Sequence, residues 1–526
     1  MIHWFSLWAK HLRAAQGWRR LAQAFLYGAI AALAFPPFNA VAALWFCFPA
    51  LAFLLQGTRT LRQAFAVGWS FAFGLLTISF YWIAGSLFVD IKTFWWALPF
   101  SVFGLPAAMA LYYGFAAMAA RRWGVERGGG LVALALFWFL ADFARGHLLT
   151  GFPWDVTGYV WSDVLPVLQL SSVIGLYGLT LVTLVLAVLP AACFPARGGA
   201  LSRSGLAVLV ASLVGLAAVA GWGQGRLSHA SDAVADGVRL RLVQPGMGQA
   251  LKWKADQREL NFERLLDLSF APAQKPVTHI VWPETATAFY LVEDAEHRRE
   301  LAVRMTPGTS VITGVVRTDR SAGGEAATKR YYNAIIAIDD HGRVVAGYDK
   351  FHLVPFGEYM PLRSLLSLPT VAGMGTDFSS GAGPRTTRVA GLPPFSPLIC
   401  YEAIFSGAVV EKGDPPQFLL NATNDAWYEH TIGPYQHFAI ARVRAVEEGL
   451  PLVRAANMGV TAVVDAYGRV RARLGWEQAG FVDSDLPLPL PAPTPYSQDR
   501  DRPLWMLFGL LLCGATCFRW AGSWKP

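Results

Sequence analysis

Long apolar runs, interrupted by one polar stretch, constrain the fold of this chain more than any other feature of its sequence. Runs of roughly 17–25 residues, the length that crosses a bilayer, lie near 21–36, 40–56, 64–89, 93–119, 131–149, 165–194, 205–222 and 503–519. Between Gly223 and Arg502 there are instead short β-like runs, amphipathic segments and Gly/Pro-rich turns. The pattern predicts a polytopic α-helical membrane domain of about eight spans: seven in residues 1–222, a folded insert at 223–502, and a last span with a short tail at 503–526.

The distribution of charge gives this membrane domain an orientation. The chain is 54% hydrophobic and carries a formal net charge of +8, but its basic residues gather beside the apolar runs rather than in the insert, which argues against nucleic-acid binding. If the spans alternate, the basic clusters fall on one side and only Lys92 and Arg145 on the other. The positive-inside rule then predicts two cytoplasmic termini and an insert on the outer side. Because "PPFN" and another span follow the first run, that run is predicted as an uncleaved helix, not a signal peptide.

Two features of the membrane part leave alternatives open. Asp142 and Arg145 stand three apart in the fifth span, as a structural ion pair or as a functional intramembrane charge. The outer loop at 145–163 contains Trp154, Tyr159 and Trp161, which suit an aromatic belt at the membrane interface or a substrate contact. The sequence alone does not choose between these readings.

The insert alternates strand-like and helix-like stretches. Segments such as "GVRLRLVQ", "YNAIIAID" and "FLLN" read as strands, and "ADQRELNFERLLDLSF" and "YQHFAIARVRAVEEG" read as helices. This alternation predicts an α/β layered fold with mixed sheets.

Three stretches of the insert place a reactive group at the end of an apolar strand. They are "VTHIVWPETA" with Glu284, "GYDKFHLVPFGEYMP" with Lys350 and Glu358, and "PLICYEAIF" with Cys400. Each is weak alone, since a free cysteine usually packs in a core and a single surface carboxylate or lysine is usually solvated. Together they supply a carboxylate, an ammonium and a thiol, which is a complete set for acyl transfer through a thiol.

The same stretches, in this order, resemble the Glu–Lys–Cys triad of the nitrilase, or carbon–nitrogen hydrolase, superfamily. With "FPPF" at 35–38, "GFPW" at 151–154, "KFHLVPFGE" at 350–358, "ICYE" at 399–402 and "NDAWY" at 424–428, nearly the whole chain resembles the apolipoprotein N-acyltransferase family. The segment "VQPGMGQ" at 243–249 is less typical of it.

The resemblance implies an αββα sandwich for the insert, together with the site residues, cellular location and reaction that follow. Glu284, Lys350 and Cys400 would be catalytic, with Glu358, Glu402 and Tyr401 supporting them and Trp253 and Trp427 binding substrate. The chain would be a bacterial inner-membrane acyltransferase with its insert on the periplasmic side. It would move an acyl chain from a membrane phospholipid, through a Cys400 thioester, to the N-terminal amine of a diacylated apolipoprotein in a ping-pong cycle.

A nearby Lys350 cation would favour the Cys400 thiolate and later stabilise the oxyanion with the Tyr401 N–H. Glu284 would serve as general base and acid.

Other functions remain as alternatives. A membrane-tethered amidase or nitrilase would use the same acylated cysteine, but eight spans exceed what a tether needs. A transporter with an outer receptor domain lacks the expected broken helices and intramembrane charges apart from Asp142 and Arg145. His430 and His437 could act as a base for Cys400, although His437 lies on a predicted helix and suits a structural role. No metal, no organic cofactor and a monomer are predicted.

Overall fold

A computed structural model describes residues 2–127, 129–195, 201–320, 329–365, 368–372 and 377–521. The α-helices of the described residues are α1 Ile2–Ala14, α2 Gly17–Ala31, α3 Leu44–Gln56, α4 Leu61–Phe80, α5 Ile91–Phe94, α6 Leu105–Trp123, α7 Gly130–His147, α8 Leu165–Leu168, α9 Ser171–Val188, α10 Arg203–Ser228, α11 Gln249–Lys252, α12 Arg258–Phe270, α13 Ala295–Arg304, α14 Gly433–Glu448, α15 Pro495–Asp499 and α16 Arg502–Ala521. The strands are β1 Val234–Gln244, β2 His279–Val281, β3 Ser310–Arg320, β4 Lys329–Ile338, β5 Val344–Asp349, β6 Phe395–Ile399, β7 Phe418–Asn424, β8 Leu452–Asn457, β9 Thr461–Val464, β10 Val470–Leu474 and β11 Gly480–Pro487.

The chain divides into two compact units. The helical unit comprises residues 1–84, 96–229 and 494–526, and the sheet unit comprises 85–95 and 230–493. The short segment 85–95 therefore belongs with the sheet unit although it is flanked by apolar helices. The boundaries predicted from the sequence, at 222/223 and 502/503, remain predictions.

Apolar helices make up the helical unit. Within the described part of the chain, five helical segments are long and apolar enough to cross a membrane: Leu61–Ala97, Phe100–Trp123, Gly130–His147, Ser171–Cys193 and Arg203–Ser228. Each of the eight predicted runs contains a helix, but Val41–Gln56, for example, falls in a shorter class of 10–17 residues. The helical membrane character is confirmed at this coarser level, and the count of eight spans remains a prediction.

The ion pair of α7 holds the loop that follows it. Arg145 Nη2 lies 3.3 Å from Asp142 Oδ1, and Arg145 Nη1 donates to the backbone carbonyls of Phe152 and Trp154, each at 2.7 Å. Asp142 Oδ2 accepts from the Thr157 hydroxyl at 2.8 Å. Because these bonds satisfy both charges within the protein, Asp142 and Arg145 form a structural clamp on residues 152–157.

The aromatic residues of this loop lie in the core of the helical unit. Trp154 and Tyr159 are fully buried and Trp161 is 5% exposed. Trp154 packs on Trp82 with ring centroids 4.5 Å apart, and Trp161 Nε1 donates to Thr183 at 2.8 Å. The reading of these three residues as an interfacial belt is therefore wrong, because protein rather than a headgroup layer surrounds them.

Two β-sheets form the centre of the sheet unit. One has six strands in the order β11-β1-β2-β3-β4-β5 and the other has five in the order β10-β9-β8-β7-β6. Parallel pairs join β1, β2 and β3, and likewise β6, β7 and β8, whereas the remaining neighbours are antiparallel. The prediction of mixed sheets is confirmed.

Side chains point alternately to the two faces of each sheet, as the two-residue period of a strand requires, and both faces are apolar. On β4, Ile335 and Ala337 pack into a core shared by both sheets, whereas Ala334, Ile336 and Ile338 face a cluster with α12 and α13. On β7, Leu420 belongs to the shared core and Leu419 to a cluster with α14. The layers are thus helix, sheet, sheet and helix, which is the expected αββα sandwich.

Candidate active site

Cys400 follows β6 directly and begins a 3₁₀ turn, Cys400–Ile404. Its φ is +49°, a left-handed value that few side-chain-bearing residues adopt and that often marks a functional position. The residue is 6% exposed and touches the core between the two sheets. Cys400 is therefore both a buried residue and a conformationally strained one.

A buried carboxylate–ammonium cluster lies beside the thiol. Lys350 Nζ, at the end of β5, donates to Glu358 at 2.9 Å and lies 3.6 Å from Glu284 Oε1. The side-chain amide of Asn333 on β4 donates to both carboxylates, at 2.7 Å to Glu284 and 2.8 Å to Glu358. Glu284 Oε2 is buried and accepts no hydrogen bond. One oxygen of the Glu284 carboxylate is thus left available while its other oxygen is held by Asn333.

The charges of this cluster act on one another and on the thiol. Burial alone would lower the pKa of Lys350, but Glu358 and Glu284 outweigh it and hold that pKa above its ordinary value. Burial raises the pKa of the Cys400 thiol, Glu284 raises it further, and Lys350 only partly opposes them. Lys350 therefore favours the thiolate, as expected, but burial and Glu284 outweigh it, so the net pKa of the resting Cys400 thiol lies above its ordinary value.

Glu402 connects the cysteine turn to the lysine strand. Its carboxylate accepts from the Ile399 N–H at 2.7 Å, the Phe351 N–H at 2.8 Å and the Tyr348 hydroxyl at 2.7 Å. Burial raises the pKa of Glu402. These bonds tie the residue before Cys400 to the residue after Lys350, so Glu402 fixes the spacing of the two functional groups.

Trp253 lies on the wall of a cavity of about 660 Å³. The wall is mixed, with aromatic, aliphatic and acidic side chains that include Phe289, Tyr290, Val316 and Glu293. The less typical segment at 243–249 leads into this wall: the side-chain amide of Asn457 accepts from the Met247 N–H at 2.9 Å and donates to the Met247 carbonyl at 2.8 Å. Trp253 thus follows a well-anchored segment and is half-buried.

Trp427 and Tyr401 occupy different surroundings from Trp253. Trp427 is half-buried on the 3₁₀ turn Asp425–Tyr428 after β7, and Gly85 lies so close that an added Cβ would be 3.4 Å from the Trp427 carbonyl oxygen. Tyr401 is buried and its ring packs edge-to-face on Phe405 at 5.1 Å. The structure brings Tyr401 to the cysteine turn and does not include Trp427 in the wall of the Trp253 cavity.

His437 contacts the backbone of Cys400 and belongs to a second buried cluster. Its Nε2 lies 3.2 Å from the Cys400 carbonyl oxygen, and its Nδ1 lies 2.7 Å from Asp425 Oδ1. Arg454 Nη2 donates to Asp425 Oδ2 at 2.8 Å. His430 is instead exposed and lies 3.0 Å from Glu477. His437 therefore supports the turn that begins at Cys400 through a contact with the Cys400 main chain.

Two residues of the site escaped sequence reasoning. Asn333 stands as the one amide in the apolar run "YYNAIIAI", and Lys252 precedes Trp253 in "LKW". A polar side chain inside an apolar strand was a usable signal for Asn333, because buried amides need hydrogen-bond partners. Lys252 gave no such signal, since its segment is polar.

Comparison with known proteins identifies the family. Residues 239–496 match the carbon–nitrogen hydrolase family and residues 27–189 match the apolipoprotein N-acyltransferase N-terminal domain. Apolipoprotein N-acyltransferase of Brucella suis is 42% identical over 90% of both chains, and that of Rhodopseudomonas palustris is 39% identical over 90% of both. Among solved structures, a mutant of the Nesterenkonia AN1 amidase from the nitrilase superfamily matches 52% of this chain and 97% of its own, with 19% identity and a TM-score of 0.36. On the similarity of its full-length relatives, the chain belongs to the apolipoprotein N-acyltransferase family.

Proposed function

We propose that this chain transfers an acyl chain from a membrane phospholipid to the N-terminal amine of a diacylated lipoprotein through a thioester on Cys400. The observation that carries the proposal is the buried cluster of Glu284, Lys350 and Glu358 beside a strained, buried cysteine. In a chain of this family, the cluster supplies a base, a cation and a nucleophile at one point.

The first half-reaction begins from a protonated thiol. Glu284 takes the Sγ proton as the sulfur attacks the ester carbonyl, so that a C–S bond forms and the carbonyl electrons move onto oxygen. Lys350 and the Tyr401 N–H stabilise this oxyanion. The oxyanion then collapses, the C–O bond to glycerol breaks, and Glu284 returns the proton to the glycerol oxygen, releasing a lysophospholipid.

The second half-reaction repeats these steps with an amine. The α-amino group of the acceptor has a pKa of about 8, compared with about 10.4 for a lysine side chain, so a useful fraction is neutral near pH 7. The amine attacks the thioester, Glu284 takes its proton, and the C–S bond breaks to regenerate the Cys400 thiol. Glu358 keeps Lys350 in place in both halves, and Trp253 and Trp427 contact substrate.

Mass spectrometry of the full chain tests the covalent step. After exposure to vesicles of phosphatidylethanolamine and phosphatidylglycerol alone, the Cys400 peptide should carry a hydroxylamine-sensitive acyl mass, and Cys400→Ala should carry none. A diacylated peptide with a free N-terminal cysteine should then accept the acyl group, whereas its N-acetylated form should not. Lysophospholipid released only with acceptor present, without any acyl-Cys400, would replace the thioester by direct transfer.

A hydrolase of the carbon–nitrogen type is the alternative, because it would form the same acyl-cysteine. The two differ in the second nucleophile, which is water for a hydrolase. Free fatty acid released at the same rate with and without acceptor peptide would favour the hydrolase; amide-linked acyl peptide as the main product favours the transferase.

We also propose that the sheet unit lies on the periplasmic side of a bacterial inner membrane, with both termini cytoplasmic and the chain a monomer. The support is the one-sided distribution of basic residues around the apolar runs. A periplasm-active reporter fused at Ser321, which lies outside the described residues, should be active. A silent periplasmic reporter with an active cytoplasmic one at the same site would reverse this orientation.

A further inference from the structure

Lys252 is a second buried lysine in the site, and its hydrogen bonds go to neutral oxygens. Lys252 is only 1% exposed. Its Nζ donates to the backbone carbonyl of Glu284 at 3.2 Å and to the Thr285 hydroxyl at 2.9 Å. Burying an ammonium away from a carboxylate partner is costly. A lysine retained in such a position is unusual unless it holds something in place.

The backbone that Lys252 contacts is strained. Thr285 has a φ of +39°, which is a marked outlier for a β-branched residue, and backbone strained in this way persists only where the surrounding structure holds it. The turn also lies against β3, so closely that a Cβ on Gly314 would be 2.5 Å from the Glu284 Cα. Without further support, the Glu284 turn would relax away from this geometry.

Backbone hydrogen bonds hold one side of the turn. The Gly314 N–H donates to Pro283 at 3.1 Å and the Ala286 N–H donates to Gly314 at 2.9 Å. The Glu284 carbonyl and the Thr285 hydroxyl are held by Lys252 instead. Lys252 therefore completes the support of the turn that carries the carboxylate.

We propose that Lys252 is a positioning residue for Glu284: its ammonium fixes the strained Glu284–Thr285 turn so that the carboxylate is aimed for proton transfer. The inference rests on the proposed role of Glu284 as the general base. It is supported by charge as well as geometry, since burial lowers the pKa of Lys252 to about 8 while Glu284 opposes this shift, and the ammonium is thus mostly charged near pH 7.

The proposal predicts the same fault in both half-reactions, because Glu284 moves a proton in each. Lys252→Met keeps the length of the side chain and removes both hydrogen bonds. Misplacing a catalytic group by about 1 Å costs up to about 100-fold in rate, so acylation of Cys400 and discharge to the peptide should each slow by about 10- to 100-fold. The KM for phospholipid vesicles and for the peptide should change less than about twofold, since Lys252 does not contact substrate in this scheme.

Single-turnover measurements on the full chain test this prediction, with phosphatidylethanolamine–phosphatidylglycerol vesicles as donor and the diacylated peptide as acceptor. Lys254→Met is the matched control, because Lys254 is exposed two residues away and should behave as wild type. Equal slowing of both steps in Lys252→Met at constant KM supports the proposal. Wild-type rates, or a change in KM alone, would overturn it.

A second pair of variants covers the case in which Lys252→Met does not fold. Thr285→Val has nearly the shape of threonine but lacks the hydroxyl that Lys252 contacts, whereas Thr285→Ser keeps that hydroxyl. Slower turnover in Thr285→Val than in Thr285→Ser supports the proposal, and equal turnover counts against it. Glu284→Gln tests the general base itself: if this variant turns over as wild type, Glu284 is not the base and the positioning role of Lys252 fails with it.

Discussion

Two buried charged clusters flank Cys400, and they differ in what their atoms contact. In the cluster of Glu284, Lys350 and Glu358, one Glu284 oxygen accepts no hydrogen bond. In the cluster of Asp425, His437 and Arg454, both Asp425 oxygens have partners.

In the second cluster, His437 also contacts the main chain, at the Cys400 carbonyl oxygen. A buried acceptor that is left unsatisfied is costly, and the free Glu284 oxygen fits the proposed uptake of a proton there. This difference supports the proposal that the first cluster reacts, whereas the second one holds the turn that begins at Cys400.

Lys350→Arg should give the largest effect, since it tests the reacting cluster at its centre. Arginine keeps the charge but replaces a compact ammonium by a wide planar group. Lys350 is buried between Glu358 and Glu284, so the wider group would have to displace packed neighbours. Losing an oxyanion donor costs about 100- to 1,000-fold, so acylation of Cys400 should fall by that factor, nearly as far as in Lys350→Ala. Single-turnover acylation measures it.

The control for this prediction is Lys412→Arg, which makes the same change at an exposed position. It should acylate at the wild-type rate. Near-normal acylation in Lys350→Arg would mean that a positive charge alone suffices there and would contradict the need for a compact ammonium.

Arg454→Met should instead affect stability more than chemistry. Burial alone would raise the pKa of Asp425, but Arg454 and His437 hold it below its ordinary value. Removing one partner of a buried ion pair costs about 3–5 kcal/mol, so the apparent Tm of the sheet unit, followed by intrinsic fluorescence in detergent, should fall clearly.

The same pKa shift predicts a pH dependence for this stabilisation. Because the pKa of Asp425 is lower in the folded chain, the stabilisation is fully present above about pH 4, near the ordinary value for aspartate, and is lost as the pH falls below it. Arg388→Met is the matched control, since Arg388 pairs with Asp414 at 2.6 Å but is 60% exposed, and solvent screening leaves such an exposed pair with little effect on stability. An equal fall in Tm for both variants would contradict the comparison.

The rate at which Cys400 is alkylated distinguishes a preformed thiolate from a thiol that a base must activate. Each unit by which a pKa rises above its ordinary value lowers the thiolate fraction about tenfold at a fixed pH. Since the Cys400 pKa is raised, iodoacetamide at pH 8 should modify Cys400 at least about tenfold more slowly than a free cysteine. Rapid alkylation near pH 7 would instead indicate a thiolate held by Lys350. Peptide mass spectrometry over a pH series measures the rate.

The sequence predicted the parts of this site that local patterns carry. Glu284, Lys350 and Cys400 each follow an apolar strand, and the turns after β2, β5 and β6 do place them at strand ends. It also predicted the helix around His437, which runs from Gly433 to Glu448.

Contacts between distant segments could not be predicted in the same way. Asn333 bridges two carboxylates 49 and 25 residues away, and no periodicity records such a pairing. The raised pKa of the Cys400 thiol depends on burial between two sheets, which outweighs the nearby lysine. Tertiary packing likewise places Trp154 and Tyr159 in a protein core, although their sequence suits a membrane interface.

The smallest effect is expected at His430, and it completes the comparison of the two clusters. His430 and His437 were both candidate bases for Cys400, but the His430 side chain is 72% exposed and lies 3.0 Å from Glu477, an arrangement that contributes about 0–1 kcal/mol. His430→Ala should therefore leave Tm unchanged and the rate of acylation within about twofold of wild type. His437→Ala should lower both, because it removes a partner from Asp425 and from the Cys400 carbonyl. A tenfold loss of acylation in His430→Ala, with Tm unchanged, would point to a histidine base and would displace Glu284 from that role.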